Sequence, residues 1–157
     1  MIRLTLLLLL CSISGCASVD ELPDRSSEID FSETIDEWTD KRTYVKSYRF
    51  KNTDRELVYR AAKAALVHED YEVTTGSLED GAVLGIQGTT MMHWSLVSGV
   101  YFNELATDTQ IRIVVKSNGD IRLSTDSSLD DEARKLLDAM RLFIDAEIAA
   151  EPDSTSE

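Results

Sequence analysis

The chain has 157 residues and a formal net charge of −13 at pH 7, a length that suits one domain of roughly 100–200 residues. Hydrophobic residues make up 43% and charged residues 29%, which argues against a chain that is disordered throughout. The acidic excess argues against a nucleic-acid partner, because phosphate binding needs clustered Lys and Arg. Two cysteines are too few for a disulfide-rich scaffold.

The first sixteen residues have the parts of an export signal. Arg3 precedes an apolar run from Leu4 to Leu10, which is much shorter than the ~20 residues of a membrane-spanning helix. Small residues and a cysteine follow, and the segment Ile13-Ser14-Gly15-Cys16 resembles the lipobox of bacterial lipoproteins. The alternative is a plain secreted protein in which this cysteine is incidental.

The lipobox resemblance implies that residues 1–15 are a signal peptide and that Cys16 is acylated. Each buried CH₂ group contributes about 0.8 kcal/mol, so several chains of the palmitate type would anchor a soluble domain durably. Ala17 and Ser18 follow, and neither is the aspartate that usually retains lipoproteins in the inner membrane. The resemblance therefore implies anchoring in the outer membrane, facing the periplasm. Cys11 would leave with the signal, so the mature chain would have no free thiol.

The segment from Asp20 to Asp40 is strongly acidic, with nine carboxylates against one base. We interpret residues 16–40 as a lipidated, solvated tether that like-charge repulsion keeps extended. The alternative is that its large apolar residues dock on the domain or on a partner; these are Ile29, Phe31, Ile35 and Trp38. Residues 151–157 are polar, and we predict a disordered tail there.

Residues 41–150 show the periodicities of one α+β domain. Alternation of Tyr44, Tyr48 and Phe50 predicts a first strand, and Thr53 with Glu56 forms a capping box that begins a helix over residues 54–68. Further strands are predicted at residues 71–75, 82–86, 96–102, 110–116 and 120–125, the last two joined by an Asn118-Gly119 hairpin turn. Ser128 and Asp131 begin a last amphipathic helix.

The predicted order is β-α-β-β-β-β-β-α. Strands joined by short turns pair antiparallel, and one face of such a sheet can bury the apolar stripes of both helices. We therefore predict an α+β two-layer sandwich, mainly an antiparallel sheet with two helices on one face.

The same pattern resembles small periplasmic lipoprotein domains. It comprises Val58–Leu66 as a helix, then Tyr71-Glu72-Val73, then Asp80–Leu84. These domains include families of unknown function and, more distantly, the helix-grip domains of the lipoprotein subunit of the outer-membrane β-barrel assembly machine. The resemblance implies fold and compartment, and it brings no catalytic residues. Residues Gly88–Asn103 depart from it, because they are longer and more apolar than a tight hairpin.

The search for chemistry yields one weak metal candidate. The chain has no nucleophile elbow, phosphate-binding glycine loop or H-E-x-x-H motif, so we predict no enzyme and no cofactor. An enzyme whose carboxylates converge only in the folded chain is the alternative. Met91 and His93, beside Trp94, offer ligands that suit cuprous copper. The competing interpretation packs half of that segment in the core and leaves the rest as an apolar patch.

Bases are crowded from Lys41 to Lys63, where eight stand against two acids. They form either a solvated surface or a docking patch for an acidic partner, a lipid head group or the acidic tether itself. Our candidate partner-binding residues are Lys46, Arg49, Lys51, Arg60, Lys63, Trp94 and Tyr101.

The expected function is a membrane-anchored, non-enzymatic lipoprotein that presents this domain to an envelope protein partner, as an accessory to envelope assembly or maintenance. An exposed strand edge or the Gly88–Asn103 insertion would be the recognition surface. The alternative is a periplasmic module that binds a small ligand or copper through Met91–Trp94.

Overall fold

A computed structural model describes residues 19–87, 96–117 and 128–150. Two short 3₁₀ helices, Val19–Glu21 and Ser26–Glu28, precede the main elements. These follow in the order β1 (Asp36–Asp40), β2 (Thr43–Phe50), α1 (Arg55–His68), β3 (Tyr71–Ser77), β4 (Ala82–Gln87), β5 (Leu96–Leu105), β6 (Asp108–Ser117) and α2 (Leu129–Ala150). The predicted α+β class is confirmed.

The six strands form one antiparallel sheet in the order β1-β2-β6-β5-β4-β3. At one end of the sheet Leu96 lies opposite both Gln87 and Ser117, and Thr43 lies opposite Lys116. We call this the Leu96 end. At the opposite end, which we call the Asp108 end, Asp108 pairs with Leu105 in the β5–β6 hairpin. The ten residues of β6 separate the two ends by about 30 Å.

Both helices cover the same face of the sheet, as predicted. α1 packs against β3, β4 and β5, and α2 packs against β2 and β6, while the helices also contact each other. Alternate strand residues point into this helix face, among them the fully buried Phe102, Ile111 and Ile113. They meet the apolar stripes of the helices, including Leu66 and Leu136. The helix face therefore holds the larger core.

The start of α1 differs from the predicted capping box by one residue. Asp54 is the N-cap, and its carboxylate accepts a hydrogen bond from the Leu57 backbone N–H at 2.7 Å. Thr53 instead donates its hydroxyl hydrogen to the Lys51 carbonyl at 3.0 Å. Asp and Thr are both favoured caps, so the sequence alone could not choose between adjacent candidates.

The acidic segment before the domain is structured, which differs from the solvated tether that we inferred. Residues 19–35, which we call the N-terminal strap, cross the sheet face opposite the helices. Leu22 is buried there in a cluster with strand residues, and Ile29, Phe31 and Ile35 pack against that cluster, as the docking alternative proposed. Acidic side chains can remain exposed while the apolar residues between them turn inward. The net charge of the segment was therefore a poor guide to whether it packs on the domain. The folded unit therefore extends to Val19, not to Lys41.

The end of the acidic segment adds a strand that the sequence pattern did not predict. β1 pairs antiparallel with β2, and all five of its residues are exposed. Trp38 accordingly does not enter the core: it is 48% exposed and contacts the Tyr44 ring edge-to-face at 5.7 Å. Five predicted strands match β2 to β6. The sixth, at residues 120–125, lies outside the described residues, as do the Asn118-Gly119 turn and the tail at 151–157.

Candidate interaction surfaces

The predicted basic residues are not brought together as one patch. Lys46 lies on the helix face of β2, and its ammonium group is 2.7 Å from the Asp36 carboxylate on β1. The Tyr44 hydroxyl donates to the same carboxylate. Hydrogen bonds from Lys46 and Tyr44 lower the pKa of Asp36. Lys46 therefore fastens the edge strand, and its side chain is only 17% exposed.

Arg49 lies on the other side of the sheet, near the Asp108 end. Its Nε is 2.7 Å from the Asp108 carboxylate, which also accepts the Asn52 backbone N–H at 3.1 Å. These hydrogen bonds, that from Asn52 first, lower the pKa of Asp108. Asn52 has a left-handed φ of 50°, so Asp108 stabilises a strained turn between β2 and α1. Lys51 is exposed beside this turn.

The two bases on α1 contact different groups. Arg60 forms an ion pair of 2.9 Å with Glu147 of α2, and both side chains are about half exposed. The Lys63 ammonium lies 5.4 Å from the centroid of the Tyr59 ring, a cation–π arrangement. The basic residues from Lys46 to Lys63 thus occupy both sides of the sheet and a helix surface. Such a distribution favours the solvated interpretation over a single patch.

Tyr101 is a correction to the candidate list. Its side chain is fully buried on the strap side of the sheet, and its hydroxyl donates to the Pro23 carbonyl at 2.8 Å. Burial raises the pKa of Tyr101. A side chain beneath the strap offers no surface to a partner, so Tyr101 is a packing residue.

The Gly88–Asn103 insertion is in part a core strand. Its second half belongs to β5, where the residues from Val97 to Phe102 are all buried. β5 pairs with β4 and β6 on either side, so this half has no free edge. The apolar run that suggested a recognition surface is explained, from Leu96 onward, by burial in the centre of the sheet.

Polar side chains on the strap face hold the strap through its backbone, and the sequence pattern did not single them out. Arg112 is 5% exposed and donates from Nη2 to the Glu33 carbonyl at 2.6 Å, while its guanidinium lies 5.6 Å from the Phe31 ring centroid. Gln110 donates to the Phe31 carbonyl at 3.1 Å. Burial lowers the pKa of Arg112, and nearby carboxylates, Asp30 foremost, oppose that shift. The one sign of this role in the sequence was that Arg112 stands alone among apolar residues at 111–115.

The two edges of the sheet differ in charge. β1 carries three acids, Asp36, Glu37 and Asp40, in five exposed residues. β3 carries only Glu72, and its outer residues Thr74, Thr75 and Gly76 are exposed, beyond a register shift between Val73 and Thr75. Charge on an edge strand discourages pairing with another strand. β3 is therefore the edge that is better suited to accept one.

The carboxylates with shifted pKa values are structural. The pKa is lowered for each of Glu21, Asp30, Asp36, Asp40, Asp108 and Asp131, in every case chiefly by hydrogen bonds. Glu132, buried on α2, forms an ion pair of 2.7 Å with Lys135 and raises the pKa of that lysine. These groups stabilise turns, caps and neighbouring elements.

Several candidates lie outside the described residues. They are Cys16, the proposed lipid attachment point, and the copper candidates Met91 and His93 with Trp94. Across residues 19–87, 96–117 and 128–150 there is no group of three or more metal-binding side chains. No helix in this part of the chain is long and apolar enough to span a membrane.

Comparison with known proteins gives structural similarities alone. No family model matches the chain, and no curated protein matches it. TTHA0849 from Thermus thermophilus aligns over 67% of this chain and 98% of its own, with 13% identity and a TM-score of 0.42. Ara h 8.0201 aligns over 69% and 98%, with 8% identity and a TM-score of 0.41. The Saccharomyces cerevisiae Ran-binding protein Mog1p aligns over 64% and 65%, with 10% identity and a TM-score of 0.33.

Proposed function

We propose that this protein is a lipoprotein of the bacterial outer membrane whose α+β domain binds an envelope protein in the periplasm and is not an enzyme. The observation that carries the anchor is the sequence of an export signal that ends in Ile13-Ser14-Gly15-Cys16. The acyl chains on Cys16 hold the domain at the membrane, because two or more chains give durable binding where one does not.

The edge of β3 is the surface that we assign to the partner. It is a seven-residue strand with a single charge, whereas three of the five residues of β1 are acidic. A partner segment in extended conformation would add to β3 through main-chain hydrogen bonds, and its side chains would contact the surface beside β3 and give specificity. The partner chemistry is thus an extended peptide segment, and the role is an accessory one in envelope assembly or maintenance.

Photo-crosslinking in intact cells tests the edge assignment with matched positions. A photoreactive residue replaces Glu72 on β3 or Glu37 on β1, both of which are exposed. We expect a discrete protein adduct from position 72 and none from position 37. Equal adducts from both positions, or adducts from 37 alone, would contradict the use of β3.

A pair of edge substitutions provides the second arm of the experiment. Thr75→Lys places a charge on β3, and Thr39→Lys places the same charge on β1, since both threonines are exposed. We expect Thr75→Lys to lower the adduct from position 72 at least about fivefold, because an edge lysine opposes strand addition. Thr39→Lys should leave that adduct unchanged.

The anchor has its own test. Cys16→Ser should move the protein from the membrane fraction to the soluble periplasmic fraction. Mass spectrometry of the unsubstituted protein should find the acyl groups on residue 16. A Cys16→Ser chain that still sediments with membranes would overturn the lipoprotein assignment.

A further inference from the structure

The N-terminal strap fixes where a lipid anchor would meet the domain. Glu21 forms an ion pair with Lys116 at 2.5 Å, and Lys116 is the penultimate residue of β6, at the Leu96 end of the sheet. Val19, two residues earlier, packs against the strap-face cluster that includes Val97 and Val114. The chain therefore enters the folded unit at the Leu96 end.

The strap is seated by several independent contacts. Leu22 is 6% exposed, Pro23 accepts the Tyr101 hydroxyl, and the Glu33 carbonyl accepts the Arg112 guanidinium. The Ser26 backbone N–H donates to the Asp80 carbonyl at 2.8 Å, and Gly81, at φ 70°, leaves room there that a side chain would fill. These contacts leave the strap no length to act as a spacer.

Only three residue steps separate Cys16 from Val19. A fully extended chain spans at most about 3.3–3.6 Å per residue, so the link from the lipid attachment point to the fold is no longer than about 11 Å. The domain itself is about 30 Å from the Leu96 end to the Asp108 end. Because this link is so much shorter than the domain, the Asp108 end cannot take the place of the Leu96 end at the bilayer.

We propose that the Leu96 end of the sheet rests on the bilayer surface and that the Asp108 end points into the periplasm. This orientation rests on the proposed lipidation of Cys16. Arg49, Lys51 and the start of α1 lie at the Asp108 end, so head groups are not their partners. The β3 edge stands along the side of the domain, between the two ends, where a periplasmic segment can reach it.

Two exposed lysines at opposite ends of β2 form a matched pair for the test. Lys41 lies just before β2, at the Leu96 end, and Lys51 lies just after it, at the Asp108 end. Lys41→Cys and Lys51→Cys each add one thiol for a fluorophore. The full, acylated chains are reconstituted in phosphatidylethanolamine–phosphatidylglycerol vesicles that contain a lipid with a nitroxide on its head group. Quenching of the fluorophore then reports proximity to the head groups.

We expect at least about threefold stronger quenching at position 41 than at position 51. A ten-residue Gly/Ser insertion between Ser18 and Val19 should reduce quenching at 41 toward the value at 51, because it frees the domain from the surface. Equal quenching in the uninserted chains, stronger quenching at 51, or an insertion without effect would overturn the orientation.

The acylation state separates this inference from the function on which it rests. If mass spectrometry shows acylated Cys16 and quenching is the same at both positions, the orientation is wrong and the anchor stands. If Cys16 carries no lipid, the lipoprotein assignment is wrong and the orientation falls with it.

Discussion

The two faces of the sheet are covered in different ways. The helix face is sealed by α1 and α2 over strand residues that are mostly apolar, such as Phe102, Ile111 and Ile113. The strap face is sealed by a chain segment that has only two short 3₁₀ helices and is held partly by polar groups such as Arg112 and Gln110.

The two coverings require different residues in the sequence. A helix satisfies its own backbone hydrogen bonds, so a helix face needs only an apolar stripe. An irregular strap has backbone groups without internal partners, so the sheet must supply donors and acceptors to it. Tyr101, Gln110 and Arg112 supply donors from strand side chains. The two faces should therefore fail differently when they are perturbed.

The largest effect is expected from a cavity in the helix face. Phe102 is fully buried, so Phe102→Ala should lower the free energy of unfolding by about 3–5 kcal/mol. Urea denaturation of the chain with Cys16→Ser would measure it. Leu142→Ala is the control, because Leu142 is 70% exposed and should change stability by less than about 0.5 kcal/mol. A loss below about 1 kcal/mol for Phe102→Ala would contradict this assignment of the main core.

A smaller and more local effect is expected on the strap face. Leu22→Ala should cost about 2 kcal/mol, at the low end for buried leucine, because the strap can adjust more freely than a packed helix. Amide hydrogen exchange should speed up at Ser26 and Ser47, whose N–H groups form hydrogen bonds between the strap and the rest of the fold. If exchange at both amides is unchanged and protection falls uniformly elsewhere, the two faces open together and the local effect is wrong.

One buried tyrosine on each face allows the pH dependence of stability to be compared between the two faces. Burial, with a contribution from Asp36, raises the pKa of Tyr44 on the helix face to about 12, and burial raises the pKa of Tyr101 on the strap face. A raised folded pKa favours the protonated phenol, so this stability is present below the unfolded pKa of about 10 and is lost as pH rises above it. Tyr44→Phe and Tyr101→Phe should each flatten the fall of the unfolding free energy between about pH 10 and 12. Denaturant midpoints across that range measure how steeply stability falls with pH. If neither substitution alters that slope, the raised pKa values of Tyr44 and Tyr101 are wrong.

Most of the helix face could be predicted from the sequence. Alternation and helical spacing are local, and they placed β2 to β6 and both helices within a few residues. The cap at Asp54 shows the limit, because neighbouring cap residues compete for the same backbone donors. The exposed β1 shows another, since it buries no face and leaves no alternating pattern.

The sequence by itself determined the α+β class and the order of most elements, because periodicity acts over short stretches of chain. Only the tertiary structure decided that the acidic segment is a strap, that Tyr101 is internal and that the bases are dispersed. The physical reason is that the strap is held by pairs such as Tyr101 with Pro23 and Arg112 with Glu33, which stand 78 and 79 residues apart in the chain. No local pattern encodes such a pairing, and the net charge of a segment does not reveal which of its few apolar residues turn inward.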